Sequence, residues 1–179
     1  MSKTSSFYKA EYTKFTLISF DIVQKETESM FTTARYFIKT SFAFFILGIV
    51  SGLYIYGAKI FGWALPYTLI QAHYHVLLMG GMLMMILGVA IWFFPRARKD
   101  DKNYNPDVVR VSYWIYTSAT MSRFVAEIFQ GYNVRGLADM FGFWSSVVQV
   151  LAVMTIIFSI WGRIRPVGSQ IREQKGEKF

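Results

Sequence analysis

Apolar residues along this chain collect into four long runs, at residues 41–63, 69–94, 108–130 and 138–161, separated by short polar connections. A helix needs about twenty apolar residues to cross the roughly 30 Å hydrocarbon core of a bilayer. Each run meets that length, so the pattern predicts an all-α fold, an integral membrane four-helix bundle. Ahead of the first run, Phe7, Tyr8, Phe15, Leu17, Ile18, Phe20, Ile22 and Val23 mix with lysines and acids. That stretch is too interrupted to span a membrane but suits a helix lying along its surface. The expected organisation is a cytoplasmic, interfacial N-terminal segment at 1–40, a four-helix transmembrane domain at 41–162 and a cytoplasmic tail at 163–179. From Gly168 onward the tail is charged and glycine-punctuated, which predicts disorder or capture by a partner.

Composition points the same way. Hydrophobic residues make up 54% of the chain and charged residues only 17%, against about 25% charged in an ordinary soluble domain. The chain has no cysteine, which removes disulfides, iron-sulfur ligation and thiol catalysis and leaves histidine to carry any metal chemistry. A net charge of +8 would suit nucleic acid if the basic residues formed a patch. Instead they flank the runs: Lys3, Lys9, Lys14, Lys25, Arg35 and Lys39 before the first, Arg96, Arg98, Lys99, Lys102 and Arg110 between the second and third, and Arg163, Arg165, Arg172, Lys175 and Lys178 after the fourth. The other two connections hold only Lys59 and Arg135. The positive-inside bias then places both termini in the cytoplasm and the two short loops outside, and predicts no role in nucleic-acid binding. Trp63 and Tyr67 fall at the outer boundary and Trp92, Trp114 and Trp161 near the inner one, where amphipathic rings prefer the headgroup region. No secretory cleavage pattern opens the chain, so its first residues are expected to remain on the mature protein.

Ionisable groups inside hydrocarbon cost several kcal/mol unless paired, and few occur here. The second run carries His73 and His75 near its outer end, and the third carries Arg123 and Glu127 at similar depth. Residues two apart on a helix point about 200° apart, so the two histidines are expected to face different neighbours. His73 shares its face with Gly80 and Met84, and His75 shares the opposite face with Met79 and Met82. The missing side chain at Gly80, with Gly81 beside it, leaves a notch against which a flat macrocycle could lie. On the third run Tyr116, Thr120, Arg123, Glu127 and Gln130 form one stripe at three- and four-residue spacing. Arg123 and Glu127 can pair, or Arg123 can neutralise haem propionates. Ser145, Ser146 and Gln149 of the fourth run lie near the same level.

Plainer readings stand beside these. An intramembrane histidine often only bonds a neighbouring helix, an arginine-glutamate pair is often structural, and Met79, Met82, Met84 and Met85 are commonly core filling. Gly48, Ser51 and Gly52 mark a close helix crossing. His73 and His75 with methionine sulfur would suit copper(I), although the helix geometry opposes one shared ion.

The run Gln71 to Arg96, with His73-Tyr74-His75, Gly80, and Gly88-Val89-Ala90-Ile91-Trp92-Phe93-Phe94-Pro95-Arg96, resembles the haem-copper oxidase superfamily. More closely it resembles small four-span relatives of the catalytic subunit, a group similar to the cbb-type oxidase and nitric oxide reductase branches. Ser122-Arg123-Phe124-Val125-Ala126-Glu127 resembles a stretch of the next helix in those relatives. The resemblance implies that His73 is the axial ligand of a low-spin haem b; it assigns His75 no role. The family carries its other haem ligand and all its copper ligands on later helices without counterpart here, so the chain alone is not expected to reduce oxygen. The expected role is a haem-binding electron-transfer subunit of a larger respiratory or oxidoreductase complex in a prokaryotic inner membrane. Its partners would be other membrane subunits or further copies of itself. The alternatives are a cofactor-free structural or assembly subunit, and a copper-binding one.

Overall fold

The computed structural model describes residues 3–94, 105–132, 136–164 and 175–176, with side chains from residue 32 onward. Every regular element among them is helical. The first helix, α1, runs unbroken from Lys3 to Phe61. No glycine or proline occurs before Gly48, so nothing in the chain interrupts the backbone ladder at residue 40, and the surface-lying segment expected there is continuous with the first apolar run. From residue 33 its inward face is Thr33, Ala34, Phe37, Ser41, Phe44, Gly48 and Ser51, a three- and four-residue rhythm that buries one stripe. Gly62, at φ +71°, ends the helix in a conformation few other residues adopt. Pro66 then opens the next helix with an extended backbone.

The second apolar run is one helical rod with a change of winding inside it. Helix α2 (Tyr67–His75) passes into a π-helical stretch (Val76–Leu83) and then α3 (Met84–Phe93). Gly80 and Gly81 lie within the wide turn, where the backbone has least to hold it in regular geometry. Asn105 caps α4 (Pro106–Gly131) by accepting from the Asp107 amide at 2.9 Å, with Pro106 at the first helical position. Helix α5 (Leu137–Trp161) follows Gly136 at φ +88°, and the Asp139 carboxylate accepts from the Gly136 amide at 3.2 Å.

Helix α1 packs along the second rod, α2 packs on α4, and α4 packs along α5. Phe37, Phe44, Ala72, Val76, Met84, Leu87, Ile91, Tyr113, Tyr116, Ile156 and Ile160 form the core. Three stretches, Thr32–Phe61, Tyr67–Phe93 and Leu137–Trp161, are long and apolar enough to cross a membrane. The third run expected from the sequence does form a helix, α4, but is not among those three. Its 26 residues would reach about 39 Å; its arginines, glutamate, serines and threonines lower its apolarity. Outward surfaces are strongly apolar, with Ile46, Ile49, Leu53, Leu78, Met82, Ile86, Leu151, Met154 and Phe158 all exposed. The basic loop after Phe94 and most of the tail expected to be disordered lie outside the described residues.

At the end opposite the histidines, Arg163 is only 2% exposed. Its guanidinium donates to the carbonyls of Ile91 at 3.0 Å and Phe94 at 2.9 Å. Those carbonyls end α3 with no further turn to receive them, and a positive charge there also opposes the negative end of the helix dipole. The sequence reading treated Arg163 as a flanking charge; the fold uses it to fasten α5 to α3.

Candidate functional site

His73 and His75 leave α2 on different sides, as their two-residue spacing requires. His73 faces α1. Its Nδ1 lies 2.9 Å from the Gly48 carbonyl oxygen and 3.2 Å from the Ser51 hydroxyl, which itself donates to the same carbonyl at 2.8 Å. A carbonyl can only accept, so Nδ1 carries a proton, and in the neutral ring the lone pair is on Nε2. Nε2 has no hydrogen-bond partner among the described residues. The ring rests on the Cα of Gly52, where a Cβ would come 2.8 Å from Cε1. The small residues expected to mark a close crossing therefore also seat a histidine.

His75 faces α4 and is closed at both nitrogens. Nδ1 lies 2.6 Å from Glu127 Oε1, and Nε2 lies 2.8 Å from an Arg123 terminal nitrogen. Arginine has donors only, so Nε2 accepts and Nδ1–H donates to the carboxylate; the imidazole is neutral in this arrangement. Arg123 also donates through Nε to Glu127 Oε1 at 3.0 Å and through its other terminal nitrogen to Gln149 Oε1 at 3.4 Å. Gln149 in turn donates to Thr120 Oγ1 at 2.7 Å, and Thr120 donates to the Tyr116 carbonyl at 2.8 Å. The Tyr116 hydroxyl donates to the Met79 carbonyl in the π-helical stretch at 2.7 Å. One chain of bonds thus ties α2, α4 and α5 together, over about 16 Å of α4 from Tyr116 to Glu127. Glu127, Gln149, Thr120 and Tyr116 are all buried, and Glu127 Oε2 has no partner among the described groups.

The stripe read from the sequence is assembled, with two differences. Ser146 bonds the Gly142 carbonyl of its own helix rather than joining the layer, and Gln130 reaches the Ala138 carbonyl. Arg123, considered as a partner for propionates, is committed to Glu127, His75 and Gln149. The notch at Gly80 is occupied: a Cβ there would meet the Phe44 ring at 2.7 Å, and one at Gly81 would meet the Phe45 ring at the same distance. Met84 is fully buried in the core, while Met85 Sδ receives a long contact from the Ser41 hydroxyl at 3.6 Å. No group of three or more His, Cys, Asp or Glu side chains that could hold an ion occurs among the described residues. Two cavities of about 470 and 540 Å³ lie between α4 and α5, lined by apolar residues such as Val125 and Phe141 in one and Val111 and Leu151 in the other; neither is lined by a histidine.

Sequence reasoning did not anticipate the Gly48 carbonyl as the partner of His73. The signal was present, because the glycine and serine spacing that lets two helices approach also uncovers a backbone carbonyl. Thr40 and Tyr113, bonded at 2.6 Å nearer the other end, were also missed; nothing in their spacing pairs residues on separate helices. No known protein family, characterised protein or solved structure matches the chain.

Proposed function

We propose that this chain is an integral membrane protein of four crossing helices, with both termini in the cytoplasm, that binds haem b through His73 and serves as an electron-transfer subunit of a larger membrane complex. The observation that carries the reading is the state of one ring: His73 has Nδ1 bonded to the Gly48 carbonyl and Nε2 open. Metal-binding histidines are held in this way, since a carbonyl on the far nitrogen fixes the tautomer, orients the ring and raises its basicity. The membrane assignment is supported by the inversion of the fold, with a polar network inside and apolar side chains outside. It also explains α4, whose charged stripe faces neighbouring helices rather than lipid.

His73 is the residue that fits the group. The other candidates serve the scaffold: His75, Arg123 and Glu127 brace α2 against α4, and Gly80 receives Phe44. Bound at His73, the iron would supply one-electron redox chemistry. The chain's own contribution is to present Nε2, to keep its lone pair free through the Gly48 bond, and to set the ring's seat at Gly52. The resemblance in the Gln71 to Arg96 region supports the same histidine.

A second reading, a cofactor-free structural or assembly subunit, is favoured by the filled notch at Gly80 and the closure of the network around Arg123. The test is purification in mild detergent, oxidised and dithionite-reduced spectra, and elemental analysis for iron and copper. The haem reading predicts iron and a Soret band that His73→Ala abolishes and His75→Gln retains. A folded, iron-free protein that takes up no added haem would support the structural reading instead. Stoichiometric copper would contradict both.

A further inference from the structure

The two cavities between α4 and α5 lie along one face of that pair. On α4, Val108, Ile115, Ser122 and Phe129 recur every seven residues, and on α5 Phe141, Val148 and Thr155 do the same, so each line keeps to one side of its helix. The seam from Val108 to Phe129 runs about 32 Å, close to the roughly 30 Å of hydrocarbon in a bilayer. Its floor is small: Ser112, Ala126, Ala138 and Ala152 are all buried. Its walls are large: Val111, Phe141 and Leu151 are each more than half exposed. Helices approach one another across small residues at their surfaces; here the small residues lie at the bottom with large ones standing above them, a shape that suits a slender extended chain. The Thr155 hydroxyl donates to the Leu151 carbonyl of its own helix at 2.8 Å, so it leaves the seam apolar.

Between helices in a bilayer, an apolar recess of this kind holds no water, and left unfilled it forfeits dispersion contacts along its walls. Acyl chains are the solvent at that depth. The cavities differ in charge. No charged residue lines the smaller one, near the end of α4, whereas Asp107 lines the larger one where α4 begins. Asp107 is exposed, its carboxylate makes no hydrogen bond or ion pair among the described residues, and Arg110, one turn on, is exposed as well. We propose that the larger cavity binds an acyl chain of a phospholipid with an ethanolamine headgroup, its ammonium held by Asp107 and its phosphate by Arg110. Ethanolamine brings a cation with N–H donors for a charge-assisted bond to the carboxylate; choline has the cation without the donors, and glycerol lacks the cation. This site needs the membrane assigned above and no haem.

The experiment uses the full chain in mild detergent, titrated with an equal mixture of dioleoyl phosphatidylethanolamine, phosphatidylcholine and phosphatidylglycerol and read by native mass spectrometry. The expected result is a preference of about two- to fivefold for the ethanolamine lipid, the scale of an exposed charge pair. Asp107→Asn should bring that lipid down to the level of the choline lipid. Leu151→Trp, which fills the larger cavity from its wall, should lower retention of all three lipids, while Val125→Trp at the smaller cavity should leave the headgroup preference in place. Wild-type protein that holds the three lipids alike, or a preference that survives Asp107→Asn, would overturn the inference. So would a disulfide between two copies of a Leu151→Cys chain in native membranes, since it would put a helix in the seam. Release of the chain from membranes by alkaline carbonate, without detergent, would overturn the membrane assignment beneath it as well.

Discussion

Two histidines two residues apart have opposite fates, and the difference is set by what each ring meets. His73 meets a backbone carbonyl and keeps one nitrogen open; His75 meets a carboxylate and a guanidinium and keeps none. Spacing alone was enough to separate their faces, but their partners were not legible, because a carbonyl uncovered by a glycine leaves no mark on the side-chain pattern. Gly52→Ala would place a methyl group against the His73 ring. Haem affinity should fall about 10- to 100-fold, the usual cost of disturbing what orients a metal ligand, measured by haem titration with helix content unchanged. Around His75 the expected currency is stability. Arg123→Ala leaves Glu127 buried without its cation and should cost about 3–5 kcal/mol. The Arg123→Ala/Glu127→Ala double variant should lose less than the sum of the singles, read by denaturant titration in micelles.

Helices were the most legible level, since runs of twenty apolar residues leave little alternative once a membrane is the solvent. What escaped were features set by contacts between helices. The π-helical winding at Val76–Leu83 accompanies the Tyr116 bond to the Met79 carbonyl and the entry of Phe44 over Gly80; from sequence, only the paired glycines hinted at weakness there. Arg163 sat in a cluster of cytoplasmic charges and looked like the others. Its two bonds to the end of α3 predict that Arg163→Ala frees the carbonyls of Ile91 and Phe94, costing about 1–3 kcal/mol for buried groups left unpaired. Hydrogen exchange should then rise at the end of α3 while α2 and its histidines stay protected.

At the scale of the whole molecule, Arg123 and Glu127 lie between helices while large apolar side chains face outward, which is stable where the surroundings are lipid. If α4 crosses the bilayer with the other three, Lys59 lies outside and Lys175 inside. The absence of native cysteine makes this simple to check: Lys59→Cys should react with a membrane-impermeant maleimide in intact spheroplasts, and Lys175→Cys only after lysis. Labelling of both in intact spheroplasts would place an even number of crossings between them, against the three the account requires. The central claim is that His73 Nε2 bonds iron. It is tested most directly by electron spin-echo spectroscopy on a His75→Gln chain, which has a single histidine, grown with ¹⁵N-histidine and purified without a histidine tag. The account predicts that the ferric haem spin couples to a labelled imidazole nitrogen; a bound haem coupled only to unlabelled nitrogen, or a folded chain that takes up no haem, would contradict it.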